Sequence, residues 1–268
     1  MTVAKPELDL EFYRREGFLS PLTLMSEKEA LEHRRALEAA EARLGPLHYK
    51  TKPYFLFASP NELARHPLLL DAVEALIGPD ILLWDSAYVI KEPGNAKKVS
   101  WHQDLTYWGL SSDQLVTAWI ALSPATLESG CMQFWPGSHR KGRIAHRDSP
   151  SEDNILHRGQ TVQAEIPGEA LFTAALRPGQ ASLHHGWLMH GSGPNSSGDR
   201  RIGLTLQYLS PSVKQLFTDK EGATLLRGQD RHGHFVEEPA FTTDFDPVLM
   251  AYREEAERLK HAVYDSAT

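Results

Sequence analysis

The chain has 268 residues, of which 41% are hydrophobic and 24% charged, enough to bury a sizeable core within the range of one large domain. The formal charge is −7, with acids and bases interspersed and no basic block or tail, which argues against nucleic acid or an anionic membrane surface as partner. The single cysteine, Cys131, excludes an intrachain disulfide and a thiolate cluster, and fits a reducing compartment.

In chain order, MTVAKPELDLEFYRREGF lacks an apolar segment behind a basic start, and no apolar run approaches the ~18 residues of a membrane span. The expectation is a soluble, unprocessed, cytoplasmic protein. Residues 1–80 read as helical. Ser26 and Glu29 form a capping box, Ala30, Leu37 and Leu44 share one face, and Gly45 with Pro46 ends that helix. A second helix runs through HPLLLDAVEALIG to Gly78 and Pro79. From about residue 80 to 210 the texture changes to short β-branched and aromatic runs, ILLWDSAYVIK, QLVTAWIAL, GCMQFWPG, QASLHHGWLMH and RIGLTLQYL, separated by Gly, Pro, Ser and Asn. Without regular strand–helix alternation, this is an antiparallel β core, a sandwich or small barrel. In the C-terminal extension, residues 211–268, Asp246 caps a helix that begins with Pro247 and carries Val248, Tyr252, Leu259 and Val263 on a rough apolar face. The whole reads as a single domain, 1–268.

Within the β core, WHQDLTYWGL places His102 and Asp104 two positions apart. On a strand, residues i and i+2 share a face, so both side chains reach one metal ion. A second such pair, His146 and Asp148, lies in the polar stretch RIAHRDSP, where no rigid strand is expected to hold the ring, and is read as a decoy. A third ligand must come from a later strand, where His184, His185 and His190 are available. Only His190 is followed by a Gly- and Ser-rich turn and then by an arginine pair, Arg200 and Arg201, opening the next strand. Two histidines and a carboxylate on one face of an iron leave positions for a bidentate co-substrate and dioxygen. An arginine fork nearby suits a carboxylate.

HQD at 102–104, TAW at 117–119, PGSHR at 136–140 and HGSGPN with Arg201 together resemble the phytanoyl-CoA dioxygenase family of Fe(II)- and 2-oxoglutarate-dependent oxygenases, over residues 10 to 210. The resemblance implies a double-stranded β-helix, the jelly-roll or cupin architecture, here mainly β and braced by N- and C-terminal helices. It implies His102, Asp104 and His190 as iron ligands, Arg201 rather than Arg200 as partner of the 2-oxoglutarate C5 carboxylate, and Ser192 and Trp119 in the co-substrate pocket. Lys52, in KPYFLF, matches a further co-substrate contact more loosely. The implied reaction consumes dioxygen, releases succinate and carbon dioxide and hydroxylates an unactivated C–H bond. Related halogenases carry a small residue at the carboxylate position, so Asp104 favours hydroxylation over chlorination.

The stretch from Ser138 to Thr161 is long, polar and mixed in charge, as expected of a lid or mouth loop that orders over substrate. Its Arg and His residues suggest a small polar or anionic substrate, and His139 and Arg140 face either the substrate mouth or solvent. Two other readings of the ligand set stand beside the oxygenase: a cupin-type protein or isomerase holding a divalent ion without redox chemistry, in which Arg201 and Ser192 lack a role, and a non-catalytic jelly roll.

Overall fold

The computed structural model describes residues 8–148, 153–156, 159 and 161–266. Its helices are α1 Leu10–Glu16, α2 Glu27–Leu44, α3 Ala58–Ala64, α4 Pro67–Ile77, α5 Leu105–Trp108 and α6 Pro247–Ser266. The strands of the main sheet are β1 Phe18–Thr23, β2 Ile81–Lys91, β4 Leu115–Ala121, β9 Gln180–His185, β11 Arg201–Leu209, β12 Gly222–Arg227 and β13 Val236–Glu237. A smaller sheet holds β3 Val99–His102, β5 Met132–Phe134, β8 Phe172–Ala174 and β10 His190–Ser192, and β6 His146–Arg147 pairs with β7 Thr161–Val162. The spatial orders are β1-β9-β4-β11-β2-β12-β13 and β3-β10-β5-β8. Among the described residues no helix is long and apolar enough to cross a membrane.

The central strands β2 and β4 of the main sheet are buried at every position, and alternation along the strands assigns the two faces to different tasks. On β11, Ile202, Leu204, Leu206 and Tyr208 join Tyr88 and Ile90 of β2 and Val116, Ala118 and Ile120 of β4 in one apolar cluster. Leu37, Leu63, Leu69 and Val73 of the N-terminal helices complete that cluster, so the helices cover this face. The opposite face presents Arg201, Gly203, Thr205 and Gln207 from β11, antiparallel to Lys91, Val89, Ala87 and Asp85 of β2. A cavity lies against this second face, with His102, His190 and Ser192 of the smaller sheet on its other side.

The capping box forms as read: the Ser26 amide donates to Glu29, and the Glu29 amide donates back to the Ser26 hydroxyl. Residues 18–23 correct the helical reading of the N-terminal segment, because FLSPLT is an edge strand that pairs antiparallel with β9. Pro21 is tolerated there because an edge strand leaves half of its backbone donors without a ladder partner. The C-terminal helix begins at Pro247 with Asp246 accepting from the Val248 amide. Val248 itself is exposed, and the buried side of this helix runs through Leu249, Arg253 and Val263 instead. Within the stretch 138–161, part of the expected lid lies outside the described residues. The remainder contains a turn of 3-10 helix at Ser138–Lys141 and the β6–β7 pair, and it brings Ile155 and Leu156 to the cavity.

Two ion pairs, one buried and one half-buried on its lysine side, tie the C-terminal region to the core. Lys260 of α6 binds Asp85 of β2, and Lys52 binds Glu238 at 2.6 Å while also donating to the carbonyls of Trp84 and Gly222. Glu238 further accepts from Tyr54 and Thr224. Removing one partner of a buried pair strands the other charge, at a cost of about 3–5 kcal/mol. Lys52→Met is therefore expected to lower the urea midpoint by that equivalent without changing the slope. An unmoved midpoint would contradict this role.

Candidate metal and co-substrate site

Strands β3 and β10 run antiparallel with His190 directly opposite His102, which sets the two ring centroids 4.2 Å apart. Each Nδ1 lies against a backbone carbonyl of its own segment, 2.8 Å from Ser100 O for His102 and 3.0 Å from Leu188 O for His190. A carbonyl only accepts, so Nδ1 carries the proton and Nε2 presents its lone pair. Both Nε2 atoms face Oδ1 of Asp104, at 3.4 and 3.7 Å. One ligand atom from each of these residues lies within 4.8 Å of the others, and among the described residues this is the group of three or more such side chains able to hold a metal.

The electrostatics suit a cation. Burial, with the neighbouring His102, holds His190 down at about 3, so its ring is neutral near pH 7. Burial pushes Asp104 upward, but His190, His102 and His184 outweigh it and hold the carboxyl well below the usual carboxylate range. Two imidazole nitrogens and a carboxylate oxygen form a nitrogen and oxygen donor set that fits a divalent first-row metal.

Asp104 reaches this point differently from the strand geometry read in the sequence. His102 ends β3, whereas Asp104 has helical backbone angles and caps α5, so a turn at Gln103 brings the pair together. Gln103 is fully buried, and its amide group donates to Gly142 O at 2.8 Å and Trp187 O at 2.7 Å while accepting from the Ile144 amide at 2.8 Å. The second oxygen of Asp104 is tied back separately: Thr117 Oγ1 donates to Oδ2 at 3.2 Å, and His184 Nε2 stands 3.5 Å from it. That leaves Oδ1 facing the imidazoles.

His146 is not part of the metal group, as read, but its ring is held rather than loose. Its Nε2 accepts from the Gln103 amide at 3.1 Å and its Nδ1 donates to Ile144 O at 2.7 Å, so β6 buttresses the turn between two candidate ligands. Of the adjacent pair on β9, His184 faces the cavity, and His185 points elsewhere with Nδ1 accepting from the Trp187 amide. His139 is in neither expected place, since its Nε2 donates to Arg14 O at 3.1 Å and its ring lies against that of His185.

Along the inner face of the main sheet the cavity, about 370 Å³, runs from Arg201 past the metal group to Asp85 and Gln207. Arg201 is 1% exposed, donates to Gly130 O at 2.6 Å, keeps Nε without a partner, and lies 5.3 Å over the Trp119 ring. Trp119 packs so closely on Gly203 that a Cβ there would come within 1.9 Å of the indole, which is why this inner position is glycine. Ser192 lines the same end. Arg200 points to the opposite face and pairs with Glu41 and Glu92. The expectation for Lys52 fails, because its ammonium is committed to Glu238 and it does not line the cavity. Sequence reading missed Lys91, which is buried beside Arg201 at the end of β2, and Gln103, which lies between two candidate ligands.

The sequence model described as Phytanoyl-CoA dioxygenase (PhyH) matches residues 13–203. The chain belongs to the phytanoyl-CoA dioxygenase family. It is 31% identical over 159 residues to the probable alpha-ketoglutarate-dependent hypophosphite dioxygenase of Stutzerimonas stutzeri, which covers 58% of this chain and 54% of that one. It is 27% identical to the peroxisomal phytanoyl-CoA dioxygenase of Bos taurus over 80% of this chain and 71% of that one. The chain thus spans about half the length of the first of these relatives. Among solved structures, the apo form of the non-heme monooxygenase ThoJ shares a TM-score of 0.85 at 28% identity, covering 96% of this chain and 97% of that one. CytC3 with Fe(II) and alpha-ketoglutarate has a TM-score of 0.67 at 21% identity over 89% and 94% of the two chains, a likeness of fold. The β core is the double-stranded β-helix of this family.

Gln103 makes a direct prediction possible. Loss of an outer partner that orients metal ligands typically weakens metal affinity about 10- to 100-fold. Gln103→Ala is expected to do so in a Co(II) titration, with His146→Ala, which removes one bond to the same turn, weaker in effect. Wild-type affinity in Gln103→Ala would show that the ligand turn holds its shape without it.

Proposed function

We propose that this chain is a 2-oxoglutarate-dependent hydroxylase acting on an unactivated C–H bond of a small free molecule. The observation that carries this reading is the placement of His102, Asp104 and His190 on the same cavity as the buried guanidinium of Arg201. His102 and His190 would hold iron through Nε2 and Asp104 through Oδ1, while Arg201, Ser192 and Trp119 would receive the distal end of 2-oxoglutarate. When bound, iron and 2-oxoglutarate supply the oxidising chemistry, with dioxygen as oxidant and succinate and carbon dioxide as products. The protein's part is to orient both reactants and to keep water out of a closely walled site. Asp104 supplies the one anionic ligand, which favours hydroxylation over chlorination. A non-redox cupin role would leave the Arg201 guanidinium buried with no ligand to meet it, at a large desolvation cost.

The substrate end is walled by Trp84, Tyr107, Trp108, Ile155 and Leu156, with Asp85, Gln207 and Lys260 at its limit. Lys260 is already paired with Asp85, so this end offers no cluster of unpaired cations for the phosphates of a coenzyme A thioester among the described residues. The arginines of the 138–161 stretch that the structure describes do not line the cavity, and the residues it contributes are apolar. These features support a compact molecule with an apolar reacting part and a hydrogen-bonding end, rather than a polyanion.

Adding 2-oxoglutarate to the anaerobic Fe(II) protein should produce a visible charge-transfer band. Asp104→Ala should lose the band and hydroxylation. Arg201→Ala should raise the 2-oxoglutarate requirement by the equivalent of about 2–5 kcal/mol, the range for truncating a buried charge partner. Arg200→Ala, on the outer face, should do much less. A hydroxylase that survives Asp104→Ala, or equal effects at the two arginines, would overturn the assignment.

A further inference from the structure

Lys91 stands directly opposite Arg201 in the β2–β11 pairing, and each is 1% exposed. Two side chains that are ordinarily cationic are thus buried side by side, yet no ion pair involves either among the described residues. Glu92, the next residue in the chain, and Glu41 are both taken by Arg200 on the outer face. Buried charge without a counter-charge is costly enough that such a pair implies a missing anion or a displaced proton. The Lys91 amine donates to Ser192 Oγ at 2.7 Å and also to the carbonyl of Gly193. Ser192 Oγ accepts from Lys91, so its own hydrogen is left to be donated, and Ser192 lines the cavity where Lys91 does not.

We propose that Lys91 is a positioning residue for the distal carboxylate of 2-oxoglutarate: it stands behind Ser192, turns the Ser192 hydroxyl hydrogen into the cavity, and adds a second positive charge behind Arg201. This rests on the co-substrate reading given above. The arrangement explains why the end of β2 carries a lysine at an inward position that is otherwise held by Val89 and Ala87 on the same strand. It also makes co-substrate binding a protonation event. Burial and the neighbouring Arg201 push Lys91 down to about 7, with Cys131 acting in the opposite direction. These are the ionisable groups that face it, from β11 and from the turn before β5, while β10 offers only the Ser192 hydroxyl and backbone carbonyls. At pH 8 the empty site holds Lys91 largely neutral. A carboxylate arriving beside it favours the charged form, so binding takes up a proton, and less so as pH falls below 7, where Lys91 is already charged.

The test is calorimetric binding of 2-oxoglutarate and of pyruvate to the anaerobic Fe(II)-loaded 268-residue chain at pH 8, in buffers of different ionisation enthalpy. Pyruvate keeps the chelating 2-oxo acid end and lacks the distal carboxylate. Lys91→Met should weaken 2-oxoglutarate about 10- to 100-fold, the range for a hydrogen bond to a charged group, and leave pyruvate within about twofold. Proton uptake on 2-oxoglutarate binding should fall from nearly one to near zero in the variant. Its thermal stability should hold or rise, because a buried amine without a counter-charge has been removed. In a Ser192→Ala background the same substitution should cost less, since part of its effect passes through the hydroxyl. Equal weakening of both ligands, with lost stability, would mean a purely structural lysine and overturn the proposal, as would wild-type 2-oxoglutarate affinity and proton uptake in Lys91→Met. A wild-type protein that binds pyruvate and 2-oxoglutarate equally would instead strike at the co-substrate reading itself.

Discussion

The rest of the structure depends on the antiparallel pairing that sets His190 of β10 opposite His102 of β3. Register in a sheet moves in whole residues, and a slip of one would send either ring to the other face. The fixed register does more than bring two imidazoles together. Because each ring turns Nδ1 to a carbonyl two residues back in its own chain, the backbone of the two strands decides which nitrogen carries the proton. The lone pairs then converge without any further side chain to aim them. Only Asp104 needs separate support, and it receives it on two sides, from the buried Gln103 turn and from Thr117 on the opposite sheet.

The main sheet converts that local geometry into a site with a long axis. Its outer face is closed by helices over aliphatic and aromatic side chains, which leaves its inner face free to carry groups that would be too costly in an ordinary core. Arg201, Lys91, Thr117 and Asp85 all sit on this inner face, spaced along the strands. The cavity therefore has a basic end, a metal-binding middle and a mixed polar limit closed by α6. The family match ends at residue 203, whereas Thr205, Gln207 and Lys260, which bound the substrate end, all lie beyond it. The shared part of the chain builds the chemistry, and the part that follows contributes to the wall against which a substrate would rest.

Much of this was legible because the decisive signals were local. The bounds of β2 coincide with the run ILLWDSAYVIK, and the capping box marks the start of α2 to the residue. His102, Asp104 and His190 were readable from spacing and from the family resemblance; neighbours on a strand face opposite ways, so only one of Arg200 and Arg201 could face inward, and the family spacing pointed to Arg201. What escaped was set by partners distant in sequence. FLSPLT forms a strand only because β9, some 160 residues later, offers it an edge. Lys52 looked like a co-substrate contact, but its fate was decided by Glu238, which no local pattern links to it. His146 sits in a stretch that reads as polar loop, yet pairing with Thr161–Val162 gives its ring a fixed place. Lys91 reads as the polar end of an apolar strand, and only its position across from Arg201 gives it meaning.

The most direct test of the account is a crystal structure of the anaerobic complex with Fe(II) and 2-oxoglutarate. The account predicts the ion bound by Nε2 of His102, Oδ1 of Asp104 and Nε2 of His190, with the distal carboxylate of 2-oxoglutarate on Arg201 and Ser192. An ion held by other residues, or a distal carboxylate directed to Arg200 or Lys52, would contradict it.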